Sequence, residues 1–233
     1  FYKHCRQILA DIQSAENQVG QTTVSPHGTL QLHCPIGFGQ HVIMPSIPAF
    51  LERYPDLSVN IELSDRTVDM VYEGIDAALH IGDLSDSRLI TRKICELQFI
   101  ICASPDYLAR HGIPKTPDDL VHHHCVAYRQ MHTGRYREWS FYKDGQTFQK
   151  ALSGRVNVNN SESLLNAAIA GIGITQVSTF LADKAIKNGQ LQVILQDYVC
   201  PSTPVNIVYP ASRYLAPKTR VFIDYIVELL QRR

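Results

Sequence analysis

The chain has 233 residues, 45% hydrophobic and 19% charged, and its 22 Lys plus Arg balance its 22 Asp plus Glu. That composition excludes a disordered chain, and a formal charge of zero supplies no field to hold the molecule on DNA. No apolar run approaches the roughly 20 residues a membrane-spanning helix needs. The N-terminal FYKHCRQILADIQ carries charges where a secretion signal has its apolar core, so a cytoplasmic location is expected.

The opening segment predicts a helix over residues 1–19 with a narrow apolar stripe. Phe1, Cys5, Ile8, Ile12, Ala15 and Val19 recur at alternating gaps of four and three, as in a coiled-coil seam. Two readings stay open: a helix packed on its own domain, or one seeking a partner. Residues 20–28 are loose. A strand is expected over 30–34, then a helix over 42–54 with Ile43, Ile47, Phe50, Leu51 and Tyr54 on one face. Pro45 and Pro48 predict that this helix is kinked or starts near Pro45. A strand over 59–63 follows. Ser64 or Asp65 is the expected cap of a helix running to Glu73 and closed by Gly74. Strands are expected over 77–81 and 97–103. Alternating β and α elements imply a mainly parallel sheet covered by helices.

In the second half, Ser104-Pro105 predicts a helix ended by Gly112, and Thr116-Pro117 another. Strands are expected over 125–128, 138–142 and 146–150, the last two joined by the hairpin signal Asp144-Gly145. A strand over 155–159 leads to a helix capped by Asn160 or Ser161, running to Ala170 and stopped by Gly171 and Gly173. Strand 174–177, helix 178–187 and strands 191–195 and 205–209 follow. Pro217 opens a last amphipathic helix with Val221, Phe222, Tyr225 and Leu229 inward. The fold class is α/β.

Catalytic signatures are lacking. Ser140-Phe-Tyr-Lys143 has the SxxK spacing without companion motifs, and Gly37-x-Gly39 has Val42 where a dinucleotide loop needs its third glycine. The chain is not expected to be an enzyme or to carry a cofactor. His122-His123-His124-Cys125 has zinc-ligating side chains, but neighbours on an extended strand point to opposite faces, so a solvated loop is expected and no metal. The six cysteines (Cys5, Cys34, Cys95, Cys102, Cys125, Cys200) show no CxxC. They read as reduced thiols, and nothing places Cys125 and Cys200 together as a redox pair.

The fragments FYKHCRQILADIQSAE, SPHGTLQLHCPIGFGQHVIMPSIPAFLERYPDLSVNIELSDRTVDMVYEGIDAALHIG and ICASPDYLARHGIPKTPDDLVHHHC come in order. AAIAGIGITQ, NGQLQVIL and VYPASRYLAPKTRVFIDYI follow them. In that order and spacing, nearly the whole chain resembles the LysR-type bacterial transcription regulators. The resemblance implies an N-terminal linker and dimerisation helix over 1–23, then two Rossmann-like subdomains joined by two crossover strands, a periplasmic-binding-protein-like plan. The first subdomain would comprise 28–101 and 206–233, the second 102–205. The winged helix-turn-helix that precedes the linker helix in the family is not in this sequence, so DNA contact is expected only through that N-terminal domain. A small-molecule effector and a homodimer or tetramer are implied as partners, with helix 42–54 of one chain against 163–170 of another. A solute-binding protein of similar two-lobed fold is the alternative; it would be monomeric.

A cleft between two such lobes suits a small ligand. Two strand-to-helix turns should face it: Ile36-Gly37-Phe38-Gly39, and Asn160-Ser161-Glu162-Ser163. Both offer helix starts that favour a carboxylate or phosphate. The resemblance adds Ser64, Asp65 and Tyr128 to the lining, with Ser104 and Gln176 near the lobe junction. Each serine would also serve as an ordinary helix cap. Ile36 and Phe38 stand where many family members have small hydroxyl residues, so an aromatic or otherwise bulky organic anion is the expected effector.

Overall fold

Alternating apolar residues make Gly28–Cys34 a strand, β1, with Leu30, Leu32 and Cys34 buried. The computed structural model describes residues 25–82, 84, 89–130, 133–211 and 215–231. The seam-bearing helix expected over 1–19, and the linker over 1–23, lie outside them.

After Pro35 one helical run, α1 (36–53), passes through four pieces. It is α-helical over Ile36–Phe38, π-helical over Gly39–Ile43, 3-10 over Met44–Ser46 and α-helical again over Ile47–Arg53. It therefore starts well before residue 42. Pro45 and Pro48 are tolerated because each stands at the first or second position of its piece. A Cβ at Gly39 would stand 2.3 Å from Leu63 Cδ2 and 3.2 Å from Cys34 Cβ, so glycine lets the helix lie directly on the strand ends.

β2 (Leu57–Leu63) follows. The helix expected from Ser64 or Asp65 is shorter: α2 covers only Met70–Glu73, and its cap is Asp69, whose carboxylate accepts from Tyr72 N at 3.0 Å. Gly74 closes it at φ 68°. β3 (Ala77–Ile81) is as expected, but the single strand over 97–103 is two, β4 (Leu89–Leu97) and β5 (Phe99–Ala103).

Then come α3 (Pro105–His111), β6 (Val126–Tyr128), β7 (Trp139–Lys143), β8 (Gln146–Lys150), β9 (Val156–Val158) and α4 (Ser161–Ile169). β10 (Thr175–Ser178), α5 (Thr179–Lys187), β11 (Gln192–Ile194), β12 (Thr203–Pro210) and α6 (Pro217–Gln231) complete the described chain. The helix expected at Thr116-Pro117 is one 3-10 turn, Asp119–His122.

Two sheets organise these strands. The first has the order β2-β1-β3-β12-β4, the second β10-β5-β11, and β6-β9 adjoins the second through the bridge between Cys125 and Ile174. The expected parallel pairing holds for β1 with β2 and β3 and for β6 with β9. Elsewhere it is corrected. β12 runs antiparallel to β3 and β4, and β5 antiparallel to β10 and β11, because the chain enters each sheet from the other one. By this pairing the chain changes sheets at Gln98 and returns within 195–202, a few residues before the expected divisions at 101 and 205.

The first sheet shares a core with Phe50 of α1 and with Phe222, Ile223 and Ile226 of α6. The second buries both faces. Ile101 and Ala103 point toward Tyr107 and Trp139, while Ile100 and Cys102 point toward Leu164 of α4 and Ala182 of α5. The two-lobed plan implied by the resemblance is the one adopted. Among the described residues no helix is long and apolar enough to cross a membrane.

Candidate functional site

The two turns singled out in the sequence meet across the lobes. Phe38 is 2% exposed, and its ring stands edge-on to Phe180 of α5 with centroids 5.9 Å apart. A Cβ at Gly37 would lie 3.4 Å from Leu181 of the same helix. Ile36, by contrast, is half-buried. From the next turn of α1, His41 Nε2 meets Glu162 Oε1 at 2.6 Å. With its amide nitrogen turned toward Glu162, Gln40 donates to both carboxylate oxygens, at 2.9 and 3.2 Å.

Asp65 forms a second bridge. Its Oδ1 accepts from Ile36 N at 2.9 Å, and Tyr128 Oη of the second lobe donates to Oδ2 at 3.1 Å. The start of α1, expected to receive a ligand's charge, therefore already holds a carboxylate of the protein. Burial, and then the Asp65 charge, push the Tyr128 phenol above its usual range, so it stays protonated as the donor. Ser64 is engaged too. Its Oγ meets His33 Nε2 at 2.9 Å and donates to Glu62 Oε1 at 3.2 Å. Burial above all holds the His33 imidazole below its ordinary value.

Asn160 caps α4, its Oδ1 accepting from Ser163 N at 2.9 Å. Ser161 is half-buried at the first helical position, and among the described residues its hydroxyl has no hydrogen-bond partner. Helix starts leave their first N–H groups unpaired, so this corner combines free donors with a free hydroxyl.

Ser104 is placed elsewhere. It caps α3, accepting from Tyr107 N at 3.2 Å, beyond the end of β5 opposite to Phe99. The register pairs Phe99 with Ser178 and Cys102 with Thr175, so Ser104 lies at the far edge of the sheet from the facing turns. Gln176 stands between these extremes. Its Nε2 donates to Ser140 O at 3.0 Å, and it lines a cavity of about 560 Å³ together with Phe99, Arg137 and Cys200.

Arg137 is the residue that sequence reasoning missed. Its guanidinium lies over the Phe99 and Tyr128 rings, 5.5 and 5.1 Å from their centroids. Burial lowers its pKa, and the Asp65 charge opposes that. Nothing in the local run GRYREWS marks one arginine above the other; only the fold brings this one beside Asp65 and Gln176.

In the His run, His122 and His124 lie at the surface, and His123 Nδ1 lies 3.3 Å from Tyr107 Oη. Among the described residues no three His, Cys, Asp or Glu stand close enough to share a metal. Cys34, Cys95, Cys102, Cys125 and Cys200 are free thiols.

Comparison with known proteins agrees with this fold. The LysR substrate binding domain family matches residues 24–231. An uncharacterized HTH-type transcriptional regulator of Haemophilus influenzae is 36% identical over 218 residues, spanning 94% of this chain and 75% of that protein. The regulatory domain of CrgA, a LysR-type transcriptional regulator from Neisseria meningitidis, is 30% identical. It superimposes with a TM-score of 0.77 over 88% of this chain and 100% of that one. The structure of CrgA itself gives a TM-score of 0.79 at 29% identity, over 98% of this chain and 77% of that one. These relatives are transcription regulators rather than solute-binding proteins.

Proposed function

The chain belongs to the LysR substrate binding domain family, and from that premise we propose that it senses a small organic anion held between its two lobes. The anion changes the angle between the lobes, and through it the action of the DNA-binding domain of the intact regulator. One observation carries the reading. The lobes are bridged by hydrogen bonds of Asp65 to Tyr128 and of Glu162 to His41 and Gln40, while the Ser161 hydroxyl lacks a partner among the described residues.

The anionic group sits at Asn160-Ser161, since Asp65 already occupies the other helix start. Its apolar body lies toward Ile36, and toward Phe38 as the lobes part. Ser161→Ala is expected to remove one charge-assisted hydrogen bond. That costs about 1.5–3 kcal/mol, or roughly tenfold to a hundredfold in affinity. Phe38→Ala should weaken a bulky ligand more than a compact one. Calorimetric titration of an identified effector against both variants is the test, and unchanged affinity in both would place the site elsewhere.

Pairing of two chains is the second part of the proposal. The outer side of α1 exposes Met44, Pro45, Pro48 and Ala49, an apolar stripe, and the outer side of α4 exposes Ser163, Asn166 and Ala170. Ile47, on the helix expected to pair, instead enters the core of its own lobe. Met44→Arg is therefore expected to turn a micromolar dimer into monomers in analytical ultracentrifugation without lowering the melting temperature. A monomeric unsubstituted chain at that concentration would refute the pairing.

A further inference from the structure

The cavity beside Gln176 is a separate feature. Of the residues expected to line the effector cleft, only Gln176 reaches it. Its floor is Phe99 and Gln176 of the second sheet, one wall is Gln130 and residues 135–138 with Ser140 and Gln149 of the β7–β8 hairpin, and the other is Cys200, Pro201 and Thr203, where the chain returns to the first sheet.

Arg137 is the unusual member of the lining. It is half-buried and held by two rings, yet one N–H donates to Gln176 O at 3.1 Å and no other side-chain hydrogen bond is made among the described residues. No carboxylate there comes within ion-pair distance of it. A guanidinium has five N–H donors, and withdrawing one from water without a counter-ion is costly. Arg135 adds a second cation to the lining against a single carboxylate, Glu138, so the cavity is net positive. One Gln176 Nε2 hydrogen is engaged by Ser140 O, which leaves the second N–H and the carboxamide oxygen as groups it can offer a ligand. Gln149 Nε2 reaches Ser140 Oγ at a long 3.4 Å and can turn to a better acceptor.

We propose that this cavity is a second ligand site, taking an aromatic monocarboxylic acid whose carboxylate pairs with Arg137 and whose ring lies among Phe99, Tyr136 and Pro201. About 560 Å³ suits a molecule of one or two rings. The planar fork of arginine matches a carboxylate with two parallel hydrogen bonds. The bound acid touches Phe99, next to the change of sheets at Gln98, and Pro201, where the chain returns, so its occupancy bears on the hinge rather than on the cleft mouth.

The experiment is saturation-transfer NMR of the whole chain with benzoate, phenylacetate, cinnamate and indole-3-acetate, each against its primary amide. At least one acid is expected to bind at millimolar concentration or tighter, with its amide at least tenfold weaker. Arg137→Gln should weaken that acid at least tenfold. Gln149 is exposed on β8, so Gln149→Trp, which fills the cavity from the hairpin without touching the core, should abolish binding even if Arg137→Gln folds poorly. Equal binding of acid and amide, survival of binding in Gln149→Trp, or no binding by any of the four acids would each overturn the proposal. Binding lost in Ser161→Ala but kept in Gln149→Trp would assign the acid to the facing turns, and the cavity site would fall while the effector cleft stands.

Discussion

Phe50→Ala is expected to cost about 3–5 kcal/mol of unfolding free energy, as large-to-small substitutions of fully buried aromatics do. Phe50 is 0% exposed and forms the contact between α1 and α6. Its ring centroid lies 5.6 Å from Phe222 at 85°, 5.1 Å from Tyr54 and 5.2 Å from Tyr225. Tyr225 in turn donates to Ser46 O at 2.9 Å, so the aromatic cluster also fixes a backbone carbonyl of α1. Set against a whole-domain stability of about 5–15 kcal/mol, the loss is large. The urea midpoint should fall while the slope stays the same, and Phe50→Leu should recover most of the deficit. A loss below about 1 kcal/mol would mean that α1 and α6 do not pack through this ring.

Gly173→Ala should have a comparable effect for a different reason. A Cβ there would stand 2.1 Å from His124 O and 2.9 Å from His124 C, both backbone atoms that cannot swing aside. Those atoms are held in place, because Ile174 N donates to His124 O at 2.9 Å and Val126 N to Ile174 O at 2.8 Å. The methyl group must therefore part β6 from β10, and both hydrogen bonds lengthen. Overpacking alone costs about 1–3 kcal/mol, and about 1 kcal/mol more accompanies each weakened bond. Gly189→Ala is the control. Gly189 has φ 71°, and a Cβ there would meet nothing within 4 Å, so only backbone strain of about 1–2 kcal/mol is expected. Equal losses in chemical denaturation for the two variants would refute the steric account.

Local chemistry made much of this fold legible. Ser104 and Asn160 cap the helices that follow them, Gly74 closes α2, and the Asp144-Gly145 hairpin turns at φ 51° and 83°. Each of these features is decided within a few residues. What escaped was decided at long range. β4 carries Thr91, Arg92 and Lys93 in an exposed run, and its sheet neighbour among the described residues is β12, more than a hundred residues later. Asp65 reads as the cap of the next helix, but its carboxylate turns back to Ile36 N and across to Tyr128, and Asp69 caps instead. Of the candidate site, the facing turns at Ile36–Phe38 and Asn160-Ser161 followed from helix-start chemistry. That Phe38 is buried against Phe180 depends on how the lobes meet, while the commitment of Ser64 to His33 and the entry of Arg137 into the cavity depend on contacts between segments far apart in sequence.

The place of β12 between β3 and β4 bears on how the molecule is made. A ribosome delivers residues 28–97 first, yet the sheet they belong to lacks an inner strand until Thr203–Pro210 has been synthesised, and lacks its Phe222 and Ile226 packing until α6 follows. The second sheet needs nothing beyond Ile194, so all its strands are available while the first lobe still waits for its own. At about 5–20 residues per second the wait lasts several seconds or more. During that interval β4 is without the strand that it pairs with, and the nascent chain presents an open strand edge to any other polypeptide nearby.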